Sequence, residues 1–153
     1  MCDYSNSCVY AIVCKNENIQ DMYVGSTSNF EQRKCDHKKD CNNSNRKSYN
    51  LKVYKFIRDN GGFDNFKFEI LEEVCCENKQ ELIKRERFYV ESLEPSLNIQ
   101  VPSRSKKEYR EQHHDKITEK INCECGGRYT RQHKAKHFKS KKHQHYIKNL
   151  NIN

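Results

Sequence analysis

Apolar and polar positions alternate along the chain in a way that outlines most of its elements. Two short apolar stretches, residues 8–13 and 22–25, flank the polar turn Lys15, Asn16, Glu17, Asn18, and predict the strands of a hairpin. Residues 1–6 show no periodicity and read as a frayed end. A helix follows the hairpin, opened by Ser28 or Asn29. The polar loop of residues 42–48 leads to a second helix over residues 49–59, with Leu51, Val53, Tyr54, Phe56 and Ile57 as its apolar face. Asn60, Gly61 and Gly62 stop it, because glycine readily takes the left-handed conformation of a helix end. Phe66, Phe68 and Ile70 then alternate with Lys67 and Glu69, the period of a third strand with one buried face. Residues 78–93 return to helical spacing with Leu82, Tyr89 and Leu93 on one stripe, and Pro95 ends the run. The predicted fold is α/β in the α+β sense: a small three-stranded antiparallel sheet flanked by helices, followed by a small module.

Composition narrows the setting. A third of the 153 residues are charged and the mean hydropathy is -1.15, so any core is modest. No apolar run approaches the ~18 residues of a membrane span, and the first residues lack the apolar stretch of a secretion signal. These features predict an intracellular protein of nucleus or cytoplasm, without membrane attachment and without an evident obligate protein partner. The nine cysteines are odd in number and Cys75 adjoins Cys76, a pattern of reduced thiols rather than a disulfide scaffold. Charge is uneven: residues 1–102 hold 15 Lys and Arg against 16 Asp and Glu, while residues 103–153 hold 14 against 5. All of the basic excess lies in the last third, which predicts attraction to a polyphosphate such as DNA.

Candidate chemistry begins in the hairpin. Tyr10 and Tyr23 lie on its two strands, and the next helix offers Arg33 and His37, whose i, i+4 spacing places both on one face. Two phenols, a guanidinium and an imidazole can thus share one small surface. Glu86 falls on the apolar stripe of the late helix, where a carboxylate is costly unless paired or bound to a cation. Val9-Tyr10, then Tyr23-Val24-Gly25, then Arg33 with His37, in this order and spacing, resembles the signature of the GIY-YIG nucleases. The resemblance implies that Glu86 holds a divalent metal, Mg2+ or Mn2+, that Tyr10 activates water, and that Tyr23, Arg33, His37 and Asn98 complete the catalytic set. Two departures stand out: Cys8 occupies the place of a glycine in the first motif, and polar residues near Ser48 replace a histidine that some members carry.

After Val101-Pro102-Ser103 the chain is charged throughout, which divides it into three regions: residues 1–102, by the resemblance a nuclease domain, a charged linker or solvated helix over 103–120, and a basic module over 121–153. His113 and His114 read as surface residues of the linker. In the module, Cys123 and Cys125 precede His137 and His143, a donor set suited to tetrahedral zinc. It resembles a two-Cys, two-His zinc finger, with a hairpin turning at Gly126-Gly127 and a helix over residues 130–147. One residue separates the cysteines where the usual pattern has two to four, and His133 and His145 compete as ligands. Arg128, Arg131, Lys134, Lys136, Lys139, Lys141 and Lys142 are its candidate contacts to nucleic acid.

Together these features predict a metal-dependent DNA endonuclease of homing, viral or mobile-element type, located in the host cell if viral. A structure-specific repair nuclease and a non-catalytic nucleic-acid-binding protein are the alternatives. The joint presence of Arg33 and Glu86 favours the enzyme, since binding alone does not require both.

Overall fold

The computed structural model describes residues 4–150, which divide at Ser103/Arg104 into two compact units. In the first, β1 (Ser7–Cys14), β2 (Met22–Thr27) and β3 (Phe66–Val74) form an antiparallel sheet in the order β2-β1-β3. Around it lie α1 (Phe30–Asn42), α2 (Lys52–Asp59) and α3 (Lys79–Leu93). The sheet with its flanking helices is the predicted architecture.

The central strand explains the arrangement. β1 is apolar at nearly every position because both of its faces are covered. Cys8, Tyr10, Ile12 and Cys14 pack with Cys41 of α1 and Val53, Tyr54 and Ile57 of α2, whereas Val9 joins Val24 and Val90 of α3 in a smaller cluster on the other face. α1 begins at Asn29, whose side chain accepts from the Gln32 amide at 3.0 Å. α2 starts at Lys52, three residues later than its pattern predicts. Leu51 therefore caps the helix and is exposed instead of facing the core.

The third strand is longer than its alternation suggests and contains a bulge. Tyr10 pairs with Ile70 but Val9 pairs with Glu72, so Leu71 is an extra residue and packs in the Val9 cluster. Ile70, expected on the buried face, is exposed, as is Leu93 at the end of α3. That helix ends at Glu94, which takes the left-handed conformation with φ 45 just before Pro95.

The second unit opens with two short helices, α4 (Lys106–Gln112) and α5 (His114–Thr118), in the region read as linker or solvated helix. Ser105 and Glu108 form a reciprocal capping box at the start of α4. A two-residue hairpin, β4 (Ile121–Asn122) with β5 (Arg128–Tyr129), leads to α6 (Lys134–Phe138) and α7 (Lys141–Leu150). The single helix predicted over residues 130–147 is thus a 3-10 turn and two helices, divided at Lys139-Ser140.

Candidate active site

Strand register sets the floor of the site. Tyr10 in the centre of β1 pairs with Gly25 of β2, and the ring of Tyr10 fills the space that a side chain at position 25 would need. A Cβ on Gly25 would lie 2.8 Å from the Tyr10 hydroxyl and 3.0 Å from the Tyr23 ring. Both phenols therefore depend on this glycine. Asn98 fixes β2 from its outer edge: its Oδ1 accepts from the Val24 amide at 2.8 Å, and its Nδ2 donates to the Val24 carbonyl at 2.9 Å. A side chain in this way substitutes for a neighbouring strand beside Tyr23.

α1 supplies the next layer. Arg33 Nε donates to the Tyr10 hydroxyl at 3.1 Å, and His37 Nε2 lies 2.7 Å from the same oxygen. The imidazole is 1 % exposed and enclosed by Tyr10, Tyr23, Tyr54 and Phe68, with ring centroids 5.5–5.8 Å away. Its Nδ1 is 2.9 Å from the Tyr54 hydroxyl, which is 3.4 Å from Asp40 Oδ2. Burial, reinforced by the Arg33 charge, lowers the His37 pKa to about 3, so the ring is neutral at physiological pH. Burial likewise raises the Tyr10 and Tyr23 hydroxyls above the ordinary phenol value, against the opposing pull of Arg33. In the resting protein both are therefore neutral phenols.

Glu86 projects from α3 to the same region. Its Oε2 accepts from Ser26 Oγ at 2.5 Å, and no Lys or Arg among the described residues forms an ion pair with it. Burial raises its pKa, while the Ser26 hydrogen bond and the Arg33 charge act the other way. A half-buried carboxylate steadied by a hydroxyl, with no cationic side chain on it, suits a hard divalent ion that prefers oxygen donors.

Of the residues expected from the sequence, Tyr10, Tyr23, Arg33 and His37 meet in one cluster with Glu86 near Arg33, while Asn98 braces β2 at Val24. Three residues that the sequence did not single out are Ser26, Tyr54 and Asp40. Only Ser26, one residue beyond the Tyr23-Val24-Gly25 element, carried a local signal.

A family profile for the GIY-YIG catalytic domain matches residues 6–98, a span that contains all six. The chain belongs to the GIY-YIG family. Two solved structures agree. The catalytic domain of the intron endonuclease I-TevI, in a single-substitution mutant, aligns with 28 % identity and a TM-score of 0.52 over 65 % of this chain and 99 % of that one. A second structure, the catalytic domain of the homing endonuclease I-TevI, aligns with 30 % identity and a TM-score of 0.51 over 61 % of this chain and 98 % of that one. No curated protein matches this chain. The first unit is thus a GIY-YIG nuclease-type domain, with the family's glycine at position 25 and Cys8 in place of another.

The second unit gathers Cys123, Cys125, His137 and His143, with ligand atoms all within 4.8 Å of one another. Cys123 Sγ lies 3.4 Å from His143 Nδ1, and Cys125 Sγ lies 3.4 Å from His137 Nε2. A tetrahedral zinc ion with the usual bond lengths separates sulfur from nitrogen by about 3.5 Å, so the donor set fits that ion. His133 instead contacts Thr130 Oγ1 at 2.8 Å, and His145 contacts Asn149 at 3.2 Å. Arg128, Arg131, Lys134, Lys136, Lys139, Lys141 and Lys142 are all exposed. Three of them have internal partners: Lys142 donates to the Gly126 carbonyl at 2.8 Å, Arg131 faces Glu119 at 3.6 Å, and Lys134 Nζ lies over the Phe138 ring at 5.6 Å from its centroid. Among the described residues, no helix is long and apolar enough to cross a membrane.

Proposed function

We propose that this GIY-YIG protein is a metal-dependent endonuclease that hydrolyses DNA phosphodiester bonds, and that its C-terminal module binds zinc and tethers the enzyme to DNA. One observation carries the reading: half-buried Arg33, Tyr23 and Glu86 surround the buried pair Tyr10 and His37. Glu86 is steadied by the Ser26 hydroxyl and by the Arg33 charge without an ion pair to either, which leaves its carboxylate able to take a metal ion.

Arg33 binds the scissile phosphate, because its planar fork offers two terminal NH2 groups beyond the Nε already engaged with Tyr10. Glu86 holds Mg2+ or Mn2+, which when bound withdraws charge from the phosphate and eases departure of the leaving oxygen. Tyr10 has no exposed surface in the free protein, so its hydroxyl meets the attacking water only when the side chains around it, Arg33 among them, shift as DNA binds. Tyr10 then takes the water proton as it passes its own to His37, so no free phenolate accumulates. Tyr23 hydrogen-bonds the water or phosphate, and Asn98 holds the strand that carries it.

The likeness to a homing endonuclease and the basic second unit favour a homing-type or mobile-element enzyme, of viral origin or otherwise. Tethering raises the effective concentration of the near-neutral nuclease domain on DNA. Incubation with supercoiled plasmid and with branched DNA, with and without Mg2+, tests the reading. Metal-dependent nicking of plasmid supports it; cutting of branched DNA alone would replace it with a repair-type nuclease, and tight binding without cleavage would leave a scaffold.

A further inference from the structure

The hydrogen-bonded chain that starts at Arg33 does not stop at His37. It continues through Tyr54 on α2 to Asp40 on α1, neither of which touches the reacting atoms. Counting protons fixes its direction. The one acceptor that Tyr54 reaches besides His37 is Asp40 Oδ2, and the single Tyr54 proton points to it across a long 3.4 Å. The Tyr54 oxygen is then left to accept at 2.9 Å, and His37 Nδ1 must be the donor. A neutral imidazole with its proton on Nδ1 has a bare Nε2, which accepts the Tyr10 hydroxyl at 2.7 Å. Arg33 Nε donates to the remaining lone pairs of Tyr10. Every group has a partner in this direction; in the reverse one, Asp40 loses the Tyr54 proton and Tyr10 loses its acceptor.

From this geometry we propose that Tyr54 and Asp40 are positioning residues that hold His37 in the Nδ1–H tautomer, so that Nε2 is free to receive the Tyr10 proton. The proposal rests on the catalytic reading of Tyr10 and His37 given above. In the step itself the O–H bond of Tyr10 breaks and an N–H bond forms at His37 Nε2, while the attacking water gives its proton to Tyr10 and its oxygen to phosphorus as the P–O bond to the leaving oxygen breaks. The imidazolium so formed is costly in a buried site. Asp40 and Asp36 on α1 favour it and Arg33 opposes it, while Tyr10, Tyr23 and Tyr54 face the ring from β1, β2 and α2 without charge. Phe68 of β3 closes the remaining side. Arg46 Nε lies 3.4 Å from Asp40 Oδ1 and holds that carboxylate from its solvent side.

The tautomer is read directly by long-range 15N–1H correlation of the full-length, histidine-labelled protein, which distinguishes a protonated from a bare ring nitrogen whether or not DNA is cut. The wild type should show protonated Nδ1 and bare Nε2 at His37. Tyr54→Phe, which keeps the ring and its packing, should lose this preference and lower kcat at least about tenfold, with KM unchanged, since positioned proton transfer supplies ~10²–10⁴-fold. Asp40→Asn should shift the tautomer in the same direction by a smaller amount. A wild type protonated on Nε2 overturns the proposal, as does a Tyr54→Phe variant that keeps both its tautomer and its kcat. Absence of cleavage by the wild type would overturn the nuclease reading and leave the tautomer assignment standing.

Discussion

The Ser26 hydroxyl donates to Glu86 Oε2 across 2.5 Å, joining the end of β2 to the middle of α3. A carboxylate that is partly desolvated resists ionisation, and this hydrogen bond is one of the two influences that counter it. Ser26→Ala should therefore weaken metal affinity about 10- to 100-fold, the range typical of groups that orient a metal ligand. Mg2+ titration of cleavage reads the change as a higher half-saturating concentration with a recoverable maximum.

Gly25 supports both phenols through its lack of a side chain. Gly25→Ala would push the Tyr10 hydroxyl and the Tyr23 ring from their positions, because its Cβ has no free space. Overpacking of this kind costs about 1–3 kcal/mol. The variant should lose cleavage far out of proportion to its fall in melting temperature, as measured by parallel thermal denaturation and plasmid nicking.

The buried imidazole makes a prediction about pH. The folded-state pKa of His37 is depressed to about 3, whereas the unfolded chain titrates near 6.5. Between these values the unfolded state binds more protons, so stability rises with pH and is lost as pH falls below the unfolded value. For this one group the slope approaches about 1.4 kcal/mol per pH unit. The His37 ring resonances should not move down to pH 4 while the protein stays folded; a midpoint near 6.5 would contradict the burial.

Removal of metal should separate the two units. The second unit buries little among its described residues beyond Cys125 and Thr130, so its fold depends on the ion its cysteines and histidines hold. Chelation, or Cys123→Ser, should unfold it by circular dichroism and reduce DNA affinity and its salt dependence, while the nuclease domain stays folded. Elemental analysis should find one zinc per chain in the untreated protein.

How far the sequence revealed the molecule differs by element. The hairpin, the Arg33/His37 face and the Gly61-Gly62 stop were legible because each is a local pattern. The bulge at Leu71 was not, since it depends on pairing with β1 and leaves no mark in the alternation of Phe66, Phe68 and Ile70. Nor was the division between α6 and α7 evident, as no Pro or Gly occurs there. Its one trace is in the histidine spacing, since six residues on a straight helix rotate by about 600° and set His137 and His143 on different faces. Only a broken helix turns both toward the cysteines. Tyr54 read as an ordinary apolar-face residue, and its contact with His37 is a product of packing between α1 and α2.

The most direct test of the central claim compares wild type, Arg33→Ala and Glu86→Ala on supercoiled plasmid in Mg2+, with DNA binding measured alongside cleavage. Nicking by the wild type should need the divalent ion, and both variants should lose about 100-fold or more, with DNA binding largely retained through the basic module. Undiminished cleavage by either variant, or cleavage by the wild type in excess chelator, would contradict that claim.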